Sequence, residues 1–296
     1  MLNERSKRAR LSLDGLSIGD AFGQQFFYPG TVETATVENL PVSPWNFTDD
    51  TEMAIGIVQV LEAHGSIEQD VLAKIFASRH AVDPNRGYGA GARKLLRQIH
   101  GGMDWQTAST SLFGGSGSFG NGGAMRVAPL GAWFADDIDA VIEQASLSAK
   151  VTHSHNEGVV GTIAVALAAA WAWQRASASK HQPAAEMIPW VIERIDQSEV
   201  RKRLEWATSY DLDTWPFTVA SQIGCGEQIS AQDTVPFCLW MAASQLDDYC
   251  EAMWTTARIG GDIDTNCAIV GGIVALSVGR EGLPELWRQC REPLSW

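Results

Sequence analysis

Val159-Val160-Gly161-Thr162-Ile163-Ala164-Val165-Ala166-Leu167-Ala168-Ala169-Ala170-Trp171-Ala172-Trp173 is the longest nearly apolar run in a chain of 296 residues. It is shorter than the ~20 apolar residues a membrane-spanning helix needs, and it is rich in alanine. It is therefore expected to be a buried helix, and no membrane association follows from it. Helical spacing continues on either side. Met53, Ile57, Val60 and Leu61 follow the i, i+4, i+7, i+8 pattern, and Leu72, Ile75 and Phe76 repeat it. Further helices are predicted over residues 90–99, 125–134, 138–149, 187–195, 200–209, 236–244, 246–259 and 267–278, with the apolar run itself extending over 159–175. Strand signals are scarce. A Thr/Val alternation over 31–37 fits a short strand or an extended loop, and no strand–helix alternation demands a parallel sheet. The fold class is all-α, in one domain over 1–296, with 176–183 as an exposed loop.

Composition narrows the function. Hydrophobic residues make up 45% and charged residues 19%, which excludes a disordered chain. Lys+Arg 22 against Asp+Glu 35 leaves −13, a balance that repels a phosphate backbone, so general nucleic-acid binding is not expected. Arg5, Lys7, Arg8 and Arg10 precede a stretch broken by Asp14, Asp20 and Gln24, unlike a secretory signal. The cysteines, Cys225, Cys238, Cys250, Cys267 and Cys290, are odd in number and form no CxxC pair. Reduced thiols, a cytoplasmic location and a monomer are the expectation.

Two segments carry chemistry of the same kind. Phe47-Thr48-Asp49-Asp50-Thr51-Glu52 places adjacent carboxylates and hydroxyls at the start of a periodic helix. Gly260-Gly261-Asp262-Ile263-Asp264-Thr265 does so ahead of an apolar helix. Each alone reads as a helix cap, with acids favoured by the positive end of the dipole. Together they offer hard oxygen ligands suited to Mg²⁺ or Mn²⁺. His153 and His155, two apart, have zinc-like spacing but no nearby Cys or third His. Residues 114–123 hold six glycines in ten positions, which suits close backbone approach to a ligand or a flexible turn.

Taken in order, these segments resemble the ADP-ribosylglycohydrolases, which include dinitrogenase reductase-activating glycohydrolase and the ADP-ribosylhydrolases. The resemblance runs through Gly19-Asp20-Ala21-Phe22-Gly23, Thr48-Asp49-Asp50-Thr51, Arg86-Gly87-Tyr88-Gly89, Gly120-Asn121-Gly122-Gly123-Ala124-Met125-Arg126, Thr152-His153-Ser154-His155 and Gly261-Asp262-Ile263-Asp264-Thr265. It implies an all-α domain holding two Mg²⁺ or Mn²⁺ ions. Thr48, Asp49, Asp50 and Asp264 would hold one ion and Asp262, Asp264 and Thr265 the other, with Asp49, Asp50 and Asp264 as the catalytic acids. Gly120, Asn121, Gly122, Gly123, Met125, Arg126, Tyr88 and His155 would line the ligand. The implied partner is an ADP-ribosylated protein or small molecule, cleaved at an N- or O-glycosidic bond of the distal ribose. A silent ADP-ribose-binding or crystallin-like member is the alternative, and a metal phosphohydrolase a weaker third. One departure bears on this choice. Many relatives carry a glutamate about four residues after the first glycine motif, where this chain has Phe27, with Glu33 the nearest substitute.

Overall fold

The computed structural model describes residues 3–27, 31–36, 39–179 and 182–296, apart from the side chain of Glu33. The described residues are helical and contain no β-strand; two isolated bridges, Trp45 with Arg291 and Gly120 with Ser230, are the only extended pairings among them. One hydrophobic cluster runs from Ala9 to Trp287.

Helices Glu4–Gly23 and Ile263–Val278 form the axis of the molecule. Gly15, Gly19 and Gly23 recur every four residues and therefore lie along one helical face. A Cβ on Gly15 would sit 2.5 Å from the Gly271 carbonyl, one on Gly19 2.2 Å from that of Cys267, and one on Gly23 2.7 Å from that of Ile263. The falling partner numbers make the pair antiparallel, and glycine alone permits backbones this close. Tyr249 Oη seals the contact by donating to the Gly15 carbonyl at 2.6 Å. The two ends of the chain are thus pressed together, and Asp20 comes beside Asp264.

The apolar run lies in a helix longer than its pattern suggested, Asn156–Ser177. At 22 residues it is long enough to cross a membrane, yet 78% of its most apolar window is buried inside the protein. Trp171 is buried and Trp173 half-buried. Helix Ala128–Trp133 crosses it so closely that a Cβ on Gly131 would lie 2.1 Å from the Ala166 carbonyl; the expected helix over 125–134 is reduced to this core.

Other expectations shift for local reasons. Residues 31–34 form a helix, Thr31–Thr34, not a strand, and Val37 lies outside the described residues. The helix expected from 236 starts at Ala231 and carries Pro236 inside it. That expected from 246 begins at Tyr249, where Asp248 caps the Glu251 amide at 3.0 Å. Helices Trp105–Thr110, Pro216–Ile223 and Glu285–Cys290 are too short to show a period. Near the chain's end Trp45 exchanges backbone bonds with Cys290 and Glu292, at 2.7 and 2.9 Å, and Phe22 stacks on Trp287 at 4.4 Å. This staple holds the segment that leads into Thr48.

Candidate active site

Helix Asp49–His64 starts at Thr48, whose hydroxyl caps the Asp50 amide at 3.4 Å. Asp20, absent from the expected site, organises this start. Fully buried, it accepts from Thr48 N at 3.0 Å, Thr48 Oγ1 at 2.9 Å, Thr51 N at 3.0 Å and Thr51 Oγ1 at 2.5 Å. The signal in the sequence was a lone acid in a Gly/Ala/Phe setting, which only a dense set of donors makes tolerable in a core.

Asp49, Asp50 and Asp264 are buried, and Asp262 half-buried, beside Asp20. Burial raises every one of these carboxyls, and mutual repulsion adds to it at Asp49, Asp50 and Asp264. Asp49 is pushed up to about 8, chiefly by burial and then by Asp20. Asp20 rises to about 6 by burial, opposed by its bonds to Thr51 and Thr48. Asp50 Oδ1 is buried with no hydrogen-bond partner. Asp264 Oδ1 accepts from the Thr265 amide at 2.8 Å. Crowded carboxylates with an orphan oxygen, flanked by the hydroxyls of Thr48 and Thr265, form a hard-oxygen donor set that fits divalent cations of the Mg²⁺ type. Among the described residues no three acid, histidine or cysteine groups already converge on a single ion-sized point. A cavity of about 450 Å³ opens beside Thr48 and Gly87, with Gln24 on its wall. Gly87 has φ +90°, and a Cβ there would stand 3.2 Å from Asp49 Oδ1.

The glycine-rich segment meets this cluster through one side chain. Asn121 is buried and donates from Nδ2 to Asp262 Oδ2 at 2.7 Å and to Thr234 Oγ1 at 3.0 Å. Its side-chain N–H groups are therefore both taken by protein partners. Gly122 and Gly123 are glycines for packing: Cβ atoms there would meet His153 at 2.9 Å and Thr162 at 2.3 Å. Gly120 remains half-buried at the loop surface.

Tyr88, Met125 and Arg126, which the resemblance also puts on the ligand, are 1%, 5% and 0% exposed and face inward. The Tyr88 ring packs edge-on to His80 at 4.9 Å. Arg126 lies over Phe76 at 4.5 Å and donates to Thr152 Oγ1 at 2.7 Å. Burial lowers it to about 9, and the facing Asp49 and Asp50 oppose that shift. The Thr152 hydroxyl also bonds His153 Nδ1 at 2.7 Å, and burial pushes His153 down to about 3. His153 is thus a neutral core residue. His155 turns the other way: its Nδ1 caps helix Asn156–Ser177 by accepting from Glu157 N at 3.1 Å.

The aromatic surface that sequence reasoning missed lies beside His155. Phe119 is 39% exposed and meets the His155 ring at 5.4 Å; Phe113, 60% exposed, lies 6.0 Å from Phe119. Phe113 has φ +51°, a left-handed conformation that bulky residues avoid, so its exposed ring is held there against preference. Two Phe inside a glycine run were the available signal. Of the departing loop, Phe27 is 45% exposed, and the side chain of Glu33 lies outside the described residues.

An all-α chain that joins two acid clusters from distant parts of its sequence, beside a glycine-rich segment bearing exposed aromatic rings, defines a class of helical proteins with a buried polyacidic site. A family model for ADP-ribosylglycohydrolase matches residues 1–295, and the chain belongs to that family. It is similar to the ADP-ribosylhydrolase ARH3 of Mus musculus, 29% identical over 330 residues with 96% of this chain and 87% of that protein covered. The Homo sapiens ARH3 is 27% identical over 340 residues, covering 96% and 89%. A solved structure titled ADP-ribosylglycohydrolase-related protein complex shares the fold, with a TM-score of 0.69, 22% identity and coverage of 98% and 94%.

Proposed function

We propose that this chain is a metal-dependent hydrolase that removes ADP-ribose from a modified acceptor by splitting the N- or O-glycosidic bond at the distal ribose. The observation that carries this reading is the Asn121–Asp262 bond, which couples the glycine-rich segment to the acid cluster. Adenine would stack on the Phe113, Phe119 and His155 side, and the distal ribose would face the carboxylates. Thr48, Asp49, Asp50 and Asp264 are suited to one Mg²⁺ or Mn²⁺ ion and Asp262, Asp264 and Thr265 to a second. When bound, such cations neutralise the carboxylates and polarise the oxygens they touch. Asp20 fixes the helix start that presents Asp49 and Asp50, and Asn121 orients Asp262. The surrounding carboxylates favour positive charge at the anomeric carbon, as an oxocarbenium-like transition state requires. Asp50 Oδ1, which no protein donor occupies, is free to face one of these ions. The cytoplasm belongs to the same reading, supported by five unpaired thiols.

The exposed Phe27 at the position expected for an acid favours a second reading, ADP-ribose binding without turnover. Defined ADP-ribosylated substrates with good and poor leaving groups, assayed for released ADP-ribose with Mg²⁺, with Mn²⁺ and with chelator, separate the two. Metal-stimulated release supports the hydrolase. Binding of ADP-ribose with no release from any substrate supports the second reading.

A further inference from the structure

Lys7, Arg8, Arg10, Arg280 and Arg291 gather around a cavity of about 690 Å³, in a chain whose 35 acids outnumber its 22 Lys and Arg. The cavity lies at the far end of the central helix pair. Helix Ile263–Val278 has 16 residues, about 24 Å at 1.5 Å each, and Asp264 stands at its start while Arg280 follows its end.

Three of the cations have their own carboxylate. Lys7 pairs with Glu4 at 2.6 Å, Arg8 with Asp136 at 2.6 Å and Arg10 with Glu62 at 2.7 Å. Arg280 and Arg291 instead share Asp14, at 3.4 and 3.9 Å. Arg291 has a side chain only 8% exposed, and its Nε is buried with no hydrogen-bond partner. Its Nη1 reaches only the neighbouring Glu292 carbonyl, at 2.9 Å. A buried guanidinium left half-paired is costly, and buried polar groups are rarely left so. Glu4 and Asp14 line the cavity beside their cations, and the rest of its wall is apolar, from Leu11, Leu13, Leu294, Trp173 and Trp296.

We propose that this cavity is a second ligand site, for a small organic anion whose phosphate or carboxylate meets Arg280 and Arg291 and whose apolar body lies on Leu11, Leu294 and Trp173. The guanidinium fork suits both anions, and the volume falls within the range of small-molecule sites.

Titration calorimetry of the full chain with phenyl phosphate, phenylacetate and neutral benzyl alcohol tests this. One saturable site is expected for at least one of the two anions and none for the alcohol, with binding kept in Asp264→Asn. Arg280 has a side chain 63% exposed, so Arg280→Glu is expected to preserve the fold, checked by circular dichroism. It is expected to weaken binding by roughly tenfold or more, as is Arg291→Gln with an unchanged circular dichroism spectrum. Failure of both anions to saturate below about 10 mM overturns the proposal, as does undiminished binding to Arg280→Glu. Loss of binding in Asp264→Asn also overturns it, because the anion would then belong to the acid cluster.

Discussion

Asp20 Oδ2 accepts from both the amide and the hydroxyl of Thr51, at 3.0 and 2.5 Å, across 31 positions of sequence. One carboxylate on the first helix thereby fixes the first turn of the helix that carries Asp49 and Asp50. Asp20→Asn turns an amide NH₂ toward these donors. It is expected to cost about 2–4 kcal/mol in urea unfolding, whereas Thr51→Ser, which keeps the hydroxyl, stays within about 1 kcal/mol of the parent. Equal stability of Asp20→Asn and the parent would show that Asp20 does not organise the turn.

Asp264 is the acid that both proposed ion positions share. Asp264→Asn is expected to lower metal stoichiometry by calorimetry and to reduce turnover more than about 100-fold, with the circular dichroism spectrum preserved. Asp262→Asn is expected to affect one ion more than the other. Unchanged stoichiometry in Asp264→Asn would refute the two-ion arrangement.

Phe119 and Phe113 present exposed rings beside His155. Base stacking is worth about 1–3 kcal/mol, so Phe119→Ala is expected to weaken ADP-ribose binding by roughly 5–150-fold. Phe119→Tyr retains it. A wild-type dissociation constant for Phe119→Ala would move the adenine elsewhere.

Phe27 is 45% exposed, so Phe27→Glu is expected to change stability by no more than about 0.5 kcal/mol. If that position adjoins the scissile bond, a new carboxyl should speed cleavage of substrates with poor leaving groups, by up to the 10²–10⁴-fold typical of general acid–base assistance (roughly). Stable protein with unaltered rates on every substrate would place Phe27 outside the reacting region.

His153 titrates near 6.5 when unfolded and is pushed down to about 3 by burial in the folded chain. Between those values the unfolded state holds the extra proton, so this group's contribution is intact above pH 6.5 and is lost as pH falls. The slope is at most about 1.4 kcal/mol per pH unit. Because the site acids titrate too, the comparison is with His153→Gln, whose stability should fall less steeply between pH 6.5 and 4.5 (about two units). Parallel curves would mean His153 is not buried neutral.

Much of the helical architecture was legible because its causes are local. The spacing of Met53, Ile57, Val60 and Leu61 and the capping chemistry of Thr48 act within a turn or two of chain. The first helix shows no such stripe, since Ser6, Ser12, Ser17 and Asp20 are buried alongside its apolar residues, and only its glycine motif stands out in the sequence. The two acid clusters could likewise be found by reading, but not their meeting. That depends on Gly15, Gly19 and Gly23 admitting the backbone of a helix more than 200 residues away (on the order of the whole chain length), a contact with no local signature. The same distinction divides the ligand segment. A glycine run announces a turn, whereas only the packing of His153 and Thr162 against Gly122 and Gly123 decided which glycines serve the core, and only tertiary burial turned Tyr88 and Arg126 inward while leaving Phe113 and Phe119 outside.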